Sequence, residues 1–157
     1  MADMNPDISL RVDRLVAVAT AERLRYDAAL FSDIWKGGET RFEQFAALYG
    51  STGSWDDGDG EGSLRGQRAI AEKLARLPAE YGLRIGLHLV GTPRVNVSES
   101  GVTAQWPLIC AVQSLDSSRL EFAGGRYDER YEYDSGQLRI AANVTMAAFM
   151  PVQEKPE

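Results

Sequence analysis

The stretch Leu83-Arg84-Ile85-Gly86-Leu87-His88-Leu89-Val90-Gly91-Thr92-Pro93-Arg94-Val95-Asn96-Val97, with the run Val102 to Leu115 after it, decides the fold. Ile85, Leu87 and Leu89 recur with period two while Gly86, His88 and Val90 take the opposite face, which is strand periodicity. Ser98-Glu99-Ser100-Gly101 supplies turn chemistry between the two runs, so together they predict one antiparallel hairpin. The only histidine of the chain therefore sits mid-strand. Imidazole is the one side chain whose unperturbed pKa lies near neutrality, which makes His88 the first candidate for proton transfer.

Upstream, Ser9 is the expected N-cap of a long helix from about Leu10, with Leu15, Val18, Ala19, Leu24, Tyr26, Leu30 and Phe31 as its apolar set and Gly37-Gly38 as its break. Tyr26 and Asp33 stand two turns apart on nearly one stripe, so a phenol and a carboxylate can share a cavity. Thr40 and Glu43 form a capping-box pattern for a second helix, Arg41 to about Tyr49, and a short strand follows through Thr52 to Trp55. The run Asp56-Asp57-Gly58-Asp59-Gly60-Glu61-Gly62 reads as a solvated loop. It lacks the Gly-Lys-Ser/Thr ending of a phosphate loop and the ligand spacing of an EF-hand. A third helix covers Gln67 to Arg76, ended by Pro78.

Downstream, Arg119 to Tyr133 alternates as a strand with a bend or bulge at Gly124-Gly125, Asp134-Ser135-Gly136-Gln137 is a hairpin turn, and Leu138 to about Met150 is the last strand. Helices first and long strands after is the order of an α+β domain, three N-terminal helices packed on a strongly curved, mainly antiparallel sheet.

The chain has 157 residues, 44% hydrophobic and 25% charged, the size and mixture of one domain, 1–157, with loose tails at about 1–8 and 151–157. Its 17 Lys plus Arg against 23 Asp plus Glu give a net charge of −6, which repels nucleic acid and anionic lipid. No run approaches a membrane span, and the acidic, polar start lacks the pattern of a secretory signal, so a soluble cytoplasmic protein is expected. Cys110, the sole cysteine, lies in the apolar run Leu108-Ile109-Cys110-Ala111-Val112 and reads as a small buried hydrophobe in a reduced compartment. One histidine and one cysteine support no metal site, and no nucleophile elbow of the Gly-x-Ser-x-Gly type is present.

Arg65-Gly66-Gln67-Arg68-Ala69-Ile70 resembles the start of the third helix in SnoaL-like proteins, a branch of the nuclear transport factor 2-like superfamily. His88 to Val97 is similar to their histidine strand, and Gly125-Arg126-Tyr127-Asp128-Glu129-Arg130 with Gly136-Gln137-Leu138-Arg139-Ile140 to their last hairpin, where Leu138 replaces a common tryptophan. The resemblance implies a cystatin-like cone with an apolar pocket between sheet and helices, in homodimers or homotrimers. Its members include ketosteroid isomerase, scytalone dehydratase and polyketide cyclases. Dehydratases of the group use a tyrosine on the first helix, a histidine on the strand and an aspartate that orients it. Tyr26 and His88 match that pattern. The position five after the tyrosine holds Phe31, and Asp33, two residues on, is the candidate orienter.

Two functions follow as expectations. In one, a cofactor-independent lyase, isomerase or cyclase takes a small apolar or cyclic molecule, with His88 as base, Tyr26 as the hydroxyl that stabilises an oxyanion, and Asp33 behind the imidazole. Trp35, Trp55, Trp106, Tyr49 and Phe31 would wall the pocket. In the other, the same cone is a non-catalytic binding or structural module resembling the small β subunit of ring-hydroxylating dioxygenases.

Overall fold

The structure, a computed structural model, describes residues 6–34, 41–58, 62–116 and 119–149. Helix α1 runs Pro6–Ser32, α2 Phe42–Ala46 and α3 Gln67–Glu80; the strands are β1 Tyr49–Asp56, β2 Leu64–Arg65, β3 Leu83–Val90, β4 Arg94–Ser98, β5 Gly101–Ser114, β6 Glu121–Asp134 and β7 Gln137–Phe149. The sheet order is β2-β1-β7-β6-β5-β3, with β4 also on β5. Neighbours pair antiparallel except β1 with β7, which are parallel. Helices pack on one face of this mainly antiparallel sheet, as the sequence order predicts.

The expected long first strand of the hairpin is two strands. Gly91, Thr92 and Pro93 interrupt it, and β3 and β4 each pair with β5 through registers centred on His88↔Cys110 and Asn96↔Thr103. Pro93 has no N–H to give a ladder, which accounts for the break. Along β5 the interior face carries Val102, Ala104, Trp106 and Leu108, all buried, while Ile109 on the other face is exposed. The Ser135-Gly136 turn has both residues at positive φ, 52° and 80°, the geometry of a two-residue hairpin turn. The glycine pair of β6 is a register shift between Gly124 and Gly125, where a Cβ on Gly125 would meet the Met146 carbonyl oxygen at 2.1 Å.

Other expectations shift at element ends. Helix α1 begins four residues early, at Pro6, whose missing N–H costs nothing in a first turn. Its buried stripe is Ala17, Ala21, Leu24, Ala28 and Ala29, whereas Leu15, Leu30 and Tyr26 are exposed. Small alanines let the helix approach the sheet closely, so the larger apolar residues are displaced outward. Helix α2 is one turn and a half, and Tyr49 opens β1 rather than ending the helix. Arg41 occupies its N-cap without a side-chain cap, and Thr40, the expected cap, lies outside the described residues. Helix α3 runs through Pro78 to Glu80: proline so near the end removes one helical bond, and Tyr81 N–H to the Leu77 carbonyl, 3.0 Å, closes the last turn. Of the expected tails, residues 6–8 belong to α1, while 1–5 and 151–157 fall outside the described residues, as does the centre of the acidic loop, 59–61.

Candidate active site

Where α1 ends, the chain is fastened to β3. Ile34 and Gly86 exchange both backbone hydrogen bonds, at 2.7 and 3.0 Å, so the residue before Ile34 is delivered to the strand beside His88. That residue is Asp33. Its Oδ1 accepts the His88 backbone N–H at 2.8 Å and lies 3.0 Å from His88 Nδ1. Ser32 donates its hydroxyl to the Ala29 carbonyl at 3.1 Å, leaving its oxygen as a second acceptor 3.3 Å from Nδ1. The His88 side chain is 21% exposed and that of Asp33 12%. Across the sheet, His88 pairs in register with Cys110, which is only partly buried.

Burial alone would push the imidazole toward its neutral form. The hydrogen bond that the ring gives to the Asp33 carboxylate, together with the neighbouring Cys110, outweighs burial and holds His88 at about 9. The negative end of α1 points at the same place and favours the same cation.

Deeper in the interior lies a second polar group. Arg25 Nη1 donates to Glu129 Oε1 at 2.9 Å, Asn143 Nδ2 donates to the same oxygen at 2.8 Å, and the Tyr131 hydroxyl donates to Glu129 Oε2. Trp106 Nε1 donates to the Tyr131 hydroxyl at 3.2 Å, and the Arg25 guanidinium lies 4.1 Å from the centre of the Tyr127 ring. Charge at this depth needs such pairing. Tyr127 stands between the two groups, within electrostatic reach of Arg25, Cys110, Glu129 and Asp33; burial pushes its hydroxyl far up, so it stays a neutral donor.

The sequence-predicted residues divide accordingly. Asp33 and His88 are brought together. Tyr26 is 49% exposed, its ring meeting the edge of the Trp106 ring at 6.0 Å, and among the described residues its hydroxyl has no hydrogen-bond partner. Trp106, Trp55 and Tyr49 are core residues, the last two meeting Phe45 edge-on and tilted, and Phe31 packs partly buried against that core. Trp35 lies outside the described residues. Two concavities, of about 460 and 240 Å³, are lined by Arg94, Gln105, Asp128 and Arg130 and by Ser51, Tyr133, Asp134 and Arg139, with no contribution from His88 or Asp33.

Sequence reasoning missed Ser32, Tyr127 and the part of Cys110 that faces the ring. The alternation of β5 held the clue for Cys110, since Val102, Ala104, Trp106, Leu108 and Cys110 share one face.

A cone of helices on a curled sheet with an aspartate–histidine pair on its inner face defines the class. The family model of the SnoaL-like domain matches residues 38–143, more than half of the chain, and the chain belongs to that family. Among curated proteins nothing matches. Among solved structures, the hexachlorocyclohexane dehydrochlorinase LinA-type3 from Novosphingobium barchaimii LL02 is similar, at 15% identity and a TM-score of 0.76, covering 88% of this chain and 91% of its own. ActVI-ORFA from Streptomyces coelicolor is similar at 13% identity and TM-score 0.67, over 83% and 97%. Rv3472 from Mycobacterium tuberculosis, of unknown function, is similar at 19% and 0.71, over 95% and 79%. At such identities the likeness shows the fold. Among the described residues no helix is long and apolar enough to cross a membrane.

Proposed function

We propose that this chain is a cofactor-independent lyase, isomerase or cyclase that moves a proton on a small apolar, cyclic molecule, with His88 at the reacting atoms and Asp33 as its positioning residue. The observation that carries the reading is the contact of Asp33 Oδ1 with both the backbone N–H and the ring of His88, at 2.8 and 3.0 Å, because a base needs its tautomer and orientation fixed. Tyr127, buried on the interior face, would donate to a developing oxyanion, and Tyr26 would act at the rim. A dehydrochlorinase among the similar structures performs an elimination by name, which suits the same chemistry.

With the ring held at about 9, roughly 1% of it is neutral at pH 7, so turnover that uses His88 as base rises with pH and levels off above about 9. The test is a thermal-shift screen over small cyclic ketones, phenols and steroids, followed by turnover of the hits. His88→Ala should lose about 10²- to 10⁴-fold in kcat/KM; equal turnover in both proteins overturns the assignment.

The second reading, a non-catalytic module like a dioxygenase β subunit, is favoured by the outer sheet face, where Leu89, Ile109, Phe122, Met146 and Phe149 are exposed together. In either reading that face would meet a second copy of the chain in a homodimer or homotrimer, and the cytoplasm is the setting its single thiol suits.

A further inference from the structure

Away from the His88–Asp33 pair, the interior holds three polar atoms that have no hydrogen-bond partner among the described residues: Arg25 Nε, the Tyr49 hydroxyl and Asn143 Oδ1. Their residues are 1%, 0% and 1% exposed, in that order. An orphaned buried polar group is costly, and three in one cluster call for a physical reason. All three residues border the Glu129 carboxylate. Asn143 Nδ2 and Arg25 Nη1 donate to the same Glu129 oxygen, at 2.8 and 2.9 Å, and Tyr49 lies within electrostatic reach of both Glu129 and Arg25. The amide nitrogen has to face the carboxylate, which turns Asn143 Oδ1 away from it, and a guanidinium that spends Nη1 on Glu129 still has its Nε–H to give. Burial keeps the Tyr49 hydroxyl protonated, so it serves as a neutral donor or acceptor. The neighbouring Tyr131 hydroxyl differs, since it donates to Glu129 and accepts from Trp106.

The three atoms select one kind of partner. Arg25 Nε only donates, Asn143 Oδ1 only accepts, and the Tyr49 hydroxyl does either. A hydroxyl group has one proton to give and two lone pairs to receive with, so it satisfies all three together, accepting from Arg25 Nε and Tyr49 and donating to Asn143 Oδ1. A ketone has no proton for Asn143 Oδ1. A carboxylate would set a second negative charge near Glu129 and face the Asn143 oxygen, and an ammonium would face Arg25. We propose that Arg25, Tyr49 and Asn143 form a recognition site for a neutral hydroxyl group carried on an apolar ring, that is, for a cyclic alcohol. Tyr127 stands between this cluster and His88, so the hydroxyl end is fixed here and the ring extends along the interior face toward the imidazole. This recognition site rests on the reading above, in which the ligand occupies the interior of the cone, yet binding itself requires no turnover. The orphaned atoms weaken the free protein and are matched when the alcohol arrives, the opposition of stability and function that binding sites show.

The test uses the full chain and three probes of one skeleton, 2-tetralol, 2-tetralone and tetralin, with affinities from isothermal titration calorimetry and melting temperatures from thermal shift. Wild type should bind 2-tetralol about tenfold or more tighter than tetralin, with 2-tetralone between them. Tyr49→Phe should reduce the preference for the alcohol about fivefold, the loss of one hydrogen bond. Without ligand, the same variant should melt about 2–4 °C higher than wild type, because an orphaned hydroxyl is removed, whereas Tyr131→Phe, which strips a satisfied hydroxyl, should melt lower. Wild type that binds 2-tetralol no better than tetralin, or not at all, overturns the proposal. So does a Tyr49→Phe chain that melts lower, as Tyr131→Phe does, because its hydroxyl is then bonded within the protein. If Tyr49→Phe does not fold, the ranking of the three probes by wild type decides alone. Preference for the alcohol in a chain that turns over no ligand of the screen upholds the recognition site while the proton-transfer reading fails. Turnover that is lost in His88→Ala, in a protein with no preference for the alcohol, overturns the site and leaves the proton-transfer reading standing.

Discussion

Asp33→Asn tests the electrostatics of the site most directly. Asparagine keeps the shape and an acceptor for the His88 backbone N–H, now at 2.8 Å, but removes the charge that faces Nδ1. Burial, the largest influence on the ring and one that opposes its charging, is then answered by Cys110 alone, and the imidazole pKa falls. In the wild type the folded pKa of about 9 stands above the unfolded 6.5, a gap worth on the order of 3 kcal/mol. A raised folded pKa stabilises fully where both states are protonated. That contribution is therefore complete below pH 6.5, declines as the unfolded ring sheds its proton, and is gone once the pH passes about 9.

The sole histidine makes the readout clean, because one imidazole Hε1 resonance follows one ring. NMR titration should give a midpoint near 9 for wild type and a clearly lower one for Asp33→Asn. Urea unfolding at pH 6, 8 and 9.5 should show the stability advantage of wild type over the variant shrinking with pH, by at most about 3 kcal/mol across that range. A wild-type resonance titrating near 6.5, or an advantage that does not change with pH, refutes the reasoning.

Glu129→Gln leaves Arg25 buried without its counter-charge, and should cost about 3–5 kcal/mol in urea unfolding, with Arg25→Met plus Glu129→Gln costing less than the sum of the two singles. Gly125→Ala drives a Cβ toward the Met146 carbonyl, so the β6–β7 bulge must open, at about 1–3 kcal/mol by thermal or urea unfolding. Phe122→Lys, on the exposed outer face, should lower the assembly state measured by sedimentation velocity while leaving the fold intact by circular dichroism. Once a substrate is in hand, Tyr127→Phe should lower kcat more than Tyr26→Phe does, since a buried donor stabilises an oxyanion more than an exposed one.

The fold is legible because period-two alternation in β3, β5, β6 and β7 survives on long strands, and the Ser135-Gly136 and Gly124-Gly125 signals mark positions where backbone geometry admits few residues. Element ends are not, because propensity is decided there by tertiary contacts. Tyr49 has helical neighbours but pairs with Ile140 of β7, and Pro78 is carried by a helix already formed. The apolar stripe of α1 misleads for a related reason: the sheet accepts alanines, and size alone does not mark the buried side. In the site, His88 stands out by being unique and Asp33 by chemistry, while spacing from Tyr26 points to Phe31. The distance that matters is set by the Ile34–Gly86 bridge, a contact between residues 52 apart in sequence, which no local pattern encodes.

That bridge also determines what kind of chemistry the site favours. A carboxylate just past a helix C-terminus sits at the wrong pole of the helix dipole, and Asp33 would be disfavoured there in isolation. It is stabilised by two donors from His88, so the carboxylate and the helix end both draw the imidazole toward its charged form. Cys110, opposite on β5, acts on the ring in the same direction. Near neutrality His88 is thus chiefly a proton donor and a counter-ion, and it becomes an efficient base only as the pH approaches about 9. A reaction run at neutral pH would then depend on a group that needs a cation beside it, such as an oxyanion, more than on the abstraction of a weakly acidic proton. Turnover that rises until about pH 9 marks the ring as base, and turnover that falls as the pH passes about 9 marks it as the cation, which separates those two uses of the same ring.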